Sequence, residues 1–334
     1  RGGLFEWVGL PFGLRNASAT MQRMVDDVMR GVAWDFVSVY IDDALIYTRG
    51  DFNLHLSHLE TVLQRLEEAG LTVKASKCFV ARHEVEMLGH TLSKHGQQPQ
   101  RDKVQAILNR PRPRTITDLR SVLGAISFYR RYIPHCSTIM KPLHALNSKE
   151  NPRVDKMWKA EHQFACDKLK QALTSRPLLC QPDYRDQAGG LVLQTDASDT
   201  GLGACLMQYR SRKLFPICYI SRALSKTERE YDIQHREALA VVWAVRKLRH
   251  YLTGFHFAVH CDHKNTRKLF MKRHHGQLFR WAQALSEFDY VIRYRKNVRI
   301  ADMLSRDPRW SDPPDVTHHT SSEDLIAHIH TQSH

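Results

Sequence analysis

Two runs rich in β-branched and aromatic residues, Phe36-Val37-Ser38-Val39-Tyr40-Ile41 and Ala44-Leu45-Ile46-Tyr47, are separated only by Asp42-Asp43. Such runs favour extended backbone, and so short an interruption makes them a hairpin with two carboxylates at its tip. Adjacent carboxylates repel, so each resists ionising unless a cation lies between them. At a rigid, exposed tip they can share a divalent ion. Phosphoryl transfer commonly uses two such ions about 4 Å apart, one at the attacking oxygen and one at the leaving oxygen. An ordinary turn remains the alternative, because Asp tolerates turn geometry, although a turn between strands this apolar usually takes Gly. Asp26-Asp27 is the contrast: it falls on a helical stretch and reads as a solvated face.

The surrounding pattern is that of several domains, which a chain of 334 residues can accommodate. A helix is expected over Ala17–Arg30, with Met21, Met24, Val25 and Val28 on one face. Another carries Leu56, Leu59, Leu63 and Leu66 and stops at Gly70. Short strands follow at 71–73 and 86–92, then a rigid basic joint, Arg110-Pro111-Arg112-Pro113-Arg114. Residues 117–148 read as helical, and Phe128-Tyr129-Arg130-Arg131-Tyr132 interleaves aromatics with arginines. Stacking on bases with charge on phosphates explains that mix; core aromatics flanked by solvated arginines explain it equally well. After a composition break near 147–152 comes a helix at 158–174. Strands are then expected at 191–196, 203–209 and 214–220, a helix at 227–252, a strand at 255–261, helices at 266–272 and 278–286, and a strand at 289–295. Three strands before a long helix, then alternation, make a mixed sheet. Beyond Asp307-Pro308 the Ser/Asp/His-rich residues 308–334 read as a linker or disordered tail.

Four acids of this second half stand where an α/β sheet collects active-site groups. Asp196 ends the strand Leu191–Thr195, Glu237 opens the apolar face of the long helix, Asp262 ends the strand Phe255–Cys261, and Asp302 follows Ile300-Ala301. Brought together, they would cage two Mg²⁺ ions; taken singly, each is one of 35 acidic residues.

A net charge of +14 favours a polyanionic partner, since neutralising phosphates releases counterions. No apolar run reaches the roughly 18 residues of a membrane span, and no leader is visible, so neither a membrane nor a secretory route is expected. Seven scattered cysteines without a CxxC pair suit a reducing, intracellular compartment. Of the 20 histidines, His318-His319 and His328/His330 lack cysteine neighbours and read as part of a solvated tail rather than a zinc site.

With those residues in view, the chain resembles the polyprotein of gypsy-type LTR retrotransposons from about residue 2 to residue 307. Leu10-Pro11-Phe12-Gly13-Leu14-Arg15-Asn16-Ala17 resembles the template- and nucleotide-positioning segment, and Tyr40-Ile41-Asp42-Asp43 the YxDD polymerase motif. Met87-Leu88-Gly89-His90 resembles the primer grip, and Leu123-Gly124 through Tyr129-Arg130-Arg131-Tyr132-Ile133 the thumb helix. Thr195-Asp196-Ala197-Ser198, Glu237-Ala238-Leu239-Ala240, Cys261-Asp262-His263 and Ala301-Asp302-Met303-Leu304 resemble the ribonuclease H signatures, in order.

The resemblance implies an α/β and α+β multidomain chain. A polymerase palm lacking its fingers would span 1–92, a thumb 93–150, a connection 151–187 and a ribonuclease H-like mixed-sheet domain 188–307. Asp42 and Asp43 would be polymerase metal ligands, and Asp196, Glu237, Asp262 and Asp302 the nuclease ligands, with two Mg²⁺ per site and Mn²⁺ as the alternative ion. Pro11, Phe12, Gly13, Gln22, Leu88, Gly89, His90, Tyr129, Arg130 and Arg131 would contact nucleic acid. The implied partners are an RNA template, a DNA primer, an RNA–DNA hybrid and, in the full-length enzyme, deoxynucleoside triphosphates. The implied location is a cytoplasmic virus-like particle with a nuclear phase.

Three departures qualify this. The family's third polymerase Asp lies upstream of the Leu10 segment, before residue 1, so an incomplete polymerase site is expected within these residues. Ser18 stands for Pro and Cys261 for Thr. Lys296–Ile300 is shorter than the family's loop before Asp302. The alternative is a degenerate or domesticated nucleic-acid-binding relic without catalysis.

Overall fold

A computed structural model describes residues 13–147, 153–175, 178–185, 190–210, 212–263, 276–295 and 324–332, with Gly3, Pro11 and Thr266 besides. These fall into two compact units that part between Lys94 and His95.

The first unit is built on the expected hairpin. Strand β1 (Val37–Tyr40) pairs antiparallel with β2 (Asp43–Arg49), and Tyr40 stands opposite Asp43. Helix α1 (Ala17–Val28) supplies Met21 and Val25 to the core, and α2 (Phe52–Glu68) supplies Val62 and Leu66. Asp51 caps α2 by accepting from the Leu54 N–H, and Gly70 takes a left-handed φ of +72° just beyond the helix, where any side chain would be strained. Strands β3 (Thr72–Val73) and β4 (Phe79–Arg82) follow, then a hairpin of β5 (Glu84–Met87) and β6 (His90–Ser93) closed by Leu88-Gly89.

The tail reading needs correction here. Residues Asp324–Gln332 form a strand, β13, that runs antiparallel to β2 from Asp324 opposite Arg49 to His330 opposite Asp43, and it also pairs with β3 and β4. The sheet order is β1-β2-β13-β3. The physical reason is burial: Ala327 and Ile329 join the core around Val37, Ala44 and Ile46, and Ile326 is buried as well. Nine residues, Asp324–Gln332, with a short apolar stretch inside a polar segment, suffice to complete a sheet.

The second unit is one five-stranded mixed sheet in the order β10-β9-β8-β11-β12, covered on both faces. After β7 (Gly96–Pro99) come α3 (Arg101–Leu108), α4 (Ile116–Phe128), α5 (Cys136–Ala145), the short α6 (Val154–Met157) and α7 (Ala160–Thr174). The sheet strands β8 (Leu191–Ala197), β9 (Gly201–Arg210) and β10 (Lys213–Ala223) form an antiparallel meander; β11 (Phe257–Cys261) pairs parallel with β8 on its other side, and β12 (Tyr290–Tyr294) parallel with β11. The expected 227–252 helix is three pieces, α8 (Lys226–Arg229), α9 (Ile233–Lys247) and α10 (Arg249–Leu252); Ser225 and Asp232 start the first two with side-chain caps. Helix α11 (Gln277–Leu285) packs beside α9. The expected helix at 266–272 lies outside the described residues.

Alternate residues of β8 serve two cores. Leu191 and Leu193 pack with α9 and α11, whereas Val192 packs with α3, α4, α5 and α7. Helices expected as a thumb (93–150) and a connection (151–187) thus form a single layer on one face of the sheet. Tyr129 and Tyr132 are buried in that layer and belong to its core, while Phe128, the last residue of α4, is exposed. Arg130 donates to the Ser221 carbonyl and Arg131 to the Tyr251 hydroxyl, so both arginines tie the layer to the sheet region.

Candidate functional sites

Asp196, Glu237 and Asp262 converge. One carboxylate oxygen from each lies within 4.8 Å of the others. Asp196 comes from the end of β8, Glu237 from the second turn of α9 and Asp262 from just past β11, so the sheet and helix deliver three acids to one point. Their burial is graded: Glu237 is buried, Asp196 half-buried and Asp262 exposed. Burial, then the charges of Asp262 and Asp196, push the Glu237 carboxyl up to about 8, while the Ala197 backbone pulls the other way. Burial also raises Asp196, with the charge of Asp262 adding to the effect and His135 opposing it. Glu237 Oε2 is enclosed yet has no hydrogen-bond partner. A buried orphan oxygen facing two more carboxylates is what a divalent cation would satisfy, and an all-oxygen donor set suits Mg²⁺ or Mn²⁺. Asp302 and the loop before it lie outside the described residues.

The second acid pair is held differently. With Tyr40 opposite Asp43, Ile41 and Asp42 are the two turn residues, and Ile41 has φ +55°. A β-branched residue rarely adopts that conformation, which costs on the order of 1–3 kcal/mol. Gln22 of α1 supports it: its side-chain oxygen accepts from the Ile41 N–H at 2.7 Å, and its amide donates to the Val39 carbonyl at 3.2 Å. Gln22, expected to contact nucleic acid, is thus a clamp on the hairpin tip, 19 residues away in sequence from Ile41. Gln22→Ala should speed amide exchange at Ile41 roughly tenfold and cost about 1–2 kcal/mol, read by hydrogen exchange and urea unfolding.

His328 Nε2 of β13 meets Asp43 Oδ1 at 3.2 Å, and its ring stacks parallel to Phe79. It is only 12% exposed, not a solvated tail residue as the sequence suggested. Among the other expected contacts, Pro11 is half-buried and Gly13 exposed, while Phe12 lies outside the described residues. Leu88, with φ +48°, and Gly89, with φ +78°, form the tight turn before His90, and Leu88 is exposed. Tyr129, Arg130 and Arg131 belong to the other unit.

Comparison with known proteins covers the regions that carry both sites. Residues 1–92 match a family model described as reverse transcriptase (RNA-dependent DNA polymerase), and residues 186–288 one described as the RNase H-like domain found in reverse transcriptase. The chain is 35% identical to the retrovirus-related Pol polyprotein from transposon 297 of Drosophila melanogaster, over 99% of this chain and 31% of that protein. It is 31% identical to the transposon Tf2-3 polyprotein of Schizosaccharomyces pombe, over 91% of this chain and 23% of that one. It therefore spans less than a third of these relatives. Among solved structures, a foamy viral protease-reverse transcriptase in complex with dsDNA superposes with a TM-score of 0.72 at 27% identity, covering 87% of this chain and 61% of the other. The same enzyme in complex with RNA/DNA hybrid gives 0.73 at 25% identity, covering 95% and 42%.

Proposed function

Because the chain belongs to the Pol polyproteins of gypsy-type LTR retrotransposons, of which it carries reverse transcriptase and ribonuclease H-like regions, we propose that it works as part of an RNA-directed DNA polymerase with a linked ribonuclease H. The convergence of Asp196, Glu237 and Asp262 carries the nuclease half of this reading. These three, with Asp302 as the fourth ligand, would hold two Mg²⁺ ions. Ions held by these carboxylates would supply Lewis-acid activation of a water and charge stabilisation at the leaving oxygen.

The chain's own residues prepare that chemistry. Burial and the charges of Asp262 and Asp196 raise the Glu237 carboxyl to about 8, so below that pH a cation binding there would displace a proton. Asp196 is carried on the rigid end of β8, and exposed Asp262 leaves one side of the cluster open to a phosphate backbone. The partner is an RNA–DNA hybrid, in keeping with the +14 charge and with the hybrid bound by the foamy viral enzyme.

The Asp42-Asp43 hairpin would supply two ligands of the polymerase site, which acts on an RNA template, a DNA primer and deoxynucleoside triphosphates. Seven free cysteines suit an intracellular setting, here the cytoplasmic particle of the element with a nuclear phase. The test is cleavage of labelled RNA in a hybrid with Mg²⁺. Asp196→Asn should lower the rate by roughly a hundredfold or more; equal rates for the variant and the parent would sink the nuclease reading.

A further inference from the structure

The acids do not stand alone at the end of β8. Asp196 is paired with Gly203 of β9, and Gly203 with Ser221 of β10, so the three form one row across three strands. Directly paired residues share a sheet face. The first turn of α5, from the helical layer upstream of the sheet, sits on that row. The Ser137 N–H donates to Ser221 Oγ at 2.9 Å, Ser137 Oγ donates to the Ser221 carbonyl at 2.7 Å, and Arg130 donates to the same carbonyl at 3.0 Å. A Cβ on Gly201 would meet Thr138 Oγ1 at 3.0 Å, and one on Gly203 would meet His135 Nδ1 at 3.0 Å and Cε1 at 3.2 Å. The imidazole therefore occupies the space that a side chain at Gly203 would fill, in the middle of the row that ends at Asp196. His135 has φ +51°, a conformation its neighbours must impose.

We infer that His135 is a positioning residue of the acid cluster: its imidazole, laid over Gly203, fixes and polarises Asp196 for a divalent cation, so that the metal centre is a composite of the sheet and the preceding helical layer. This inference rests on the nuclease reading and deepens it. It agrees with His135 being the main influence that counters the effect of burial on Asp196. Groups that orient a metal-binding carboxylate typically alter affinity about 10–100-fold when removed. It follows that residues 188–307 alone would make a weaker centre than the whole chain.

The test uses the full chain carrying Asp42→Asn and Asp43→Asn, so that bound Mn²⁺ reports on the acid cluster, with affinity read by electron paramagnetic resonance. His135→Ala should weaken Mn²⁺ binding roughly tenfold. His135→Gly, which suits the left-handed φ, should do the same, showing that the loss belongs to the imidazole and not to the backbone. Gly203→Ala should displace the ring and reproduce part of the loss in the parent, but add nothing in the His135→Gly background. A thermal melt accompanies each variant, because a merely structural role would lower the melting temperature and leave affinity in the folded fraction unchanged. Unchanged Mn²⁺ affinity in folded His135→Gly, or fully additive effects of the two substitutions, overturns the inference. Strong Mn²⁺ binding without hybrid cleavage by the unsubstituted chain would sink the nuclease reading alone; no binding at the cluster in the parent overturns both.

Discussion

Glu237→Gln is expected to abolish hybrid cleavage while making the metal-free protein more heat-stable at pH 8. The two effects have one cause. The carboxyl is 3% exposed and faces Asp196 and Asp262, and burial with like charge raises it to about 8 in the folded chain. In the unfolded chain it would titrate near the ordinary glutamate value of about 4.3. Between those values the folded state holds a proton that the unfolded state has lost, so unfolding free energy falls as pH rises through that window. By pH 8 the penalty is on the order of several kcal/mol. A glutamine has no proton to lose and escapes it, apart from about 1 kcal/mol for an imperfectly bonded amide. Melting should rise by roughly 3–8 °C at pH 8, with the difference closing as pH falls toward 4.5. Mg²⁺ should raise the melting temperature of the parent at pH 8 but barely affect the variant, because the cation takes the place of the proton. Differential scanning calorimetry with and without Mg²⁺ reads both arms. A variant that melts below the parent at pH 8 would contradict the raised carboxyl, and one that still cleaves would remove Glu237 from the ligand set.

How far this site was legible depended on the range of the interactions. The hairpin at 37–49 and the strands of the mixed sheet showed in local composition, because β-branched runs specify extended backbone without help from distant residues. The acids that end β8 and β11 or ride on α9 were readable as candidates for the same reason, and their convergence is a product of the sheet order. Tyr129 shows the limit: its arginine neighbours suggest a nucleic-acid surface, and only the packing of α4 and α5 on the sheet reveals a core side chain. Gln22 and His135 carry no local signal. One acts on Ile41 across 19 residues, and the other lies over Gly203 through a tertiary contact. Ile41, expected as the end of the first strand, turns out to be a turn residue, a shift that only the strand register reveals.

Removing residues 316–334 is expected to unfold the first unit or leave it with a frayed sheet. The strand at 324–332 sits between β2 and β3, so its loss exposes the inner edge of the hairpin that carries Asp42 and Asp43. It also strips Ile326, Ala327 and Ile329 from contact with the core. Two isoleucines and an alanine contribute about 4–6 kcal/mol of apolar burial, comparable to the whole stability of many small domains, about 5–15 kcal/mol. Ile329→Ala, the milder form, should cost about 2–4 kcal/mol. Both should appear as loss of amide protection along β2, with Ala44, Ile46 and Thr48 exchanging much faster, while the sheet of the second unit stays protected. His328→Ala separates packing from contact with the acids. It should leave β2 protected, apart from a modest loss of the Phe79 stack, and free Asp43 from the imidazole. Unchanged β2 exchange after truncation would show that the strand is an ornament on a sheet already stable without it. Loss of protection would make the C-terminal segment part of the scaffold of the acid hairpin, although nearly 300 residues separate His328 from Asp43.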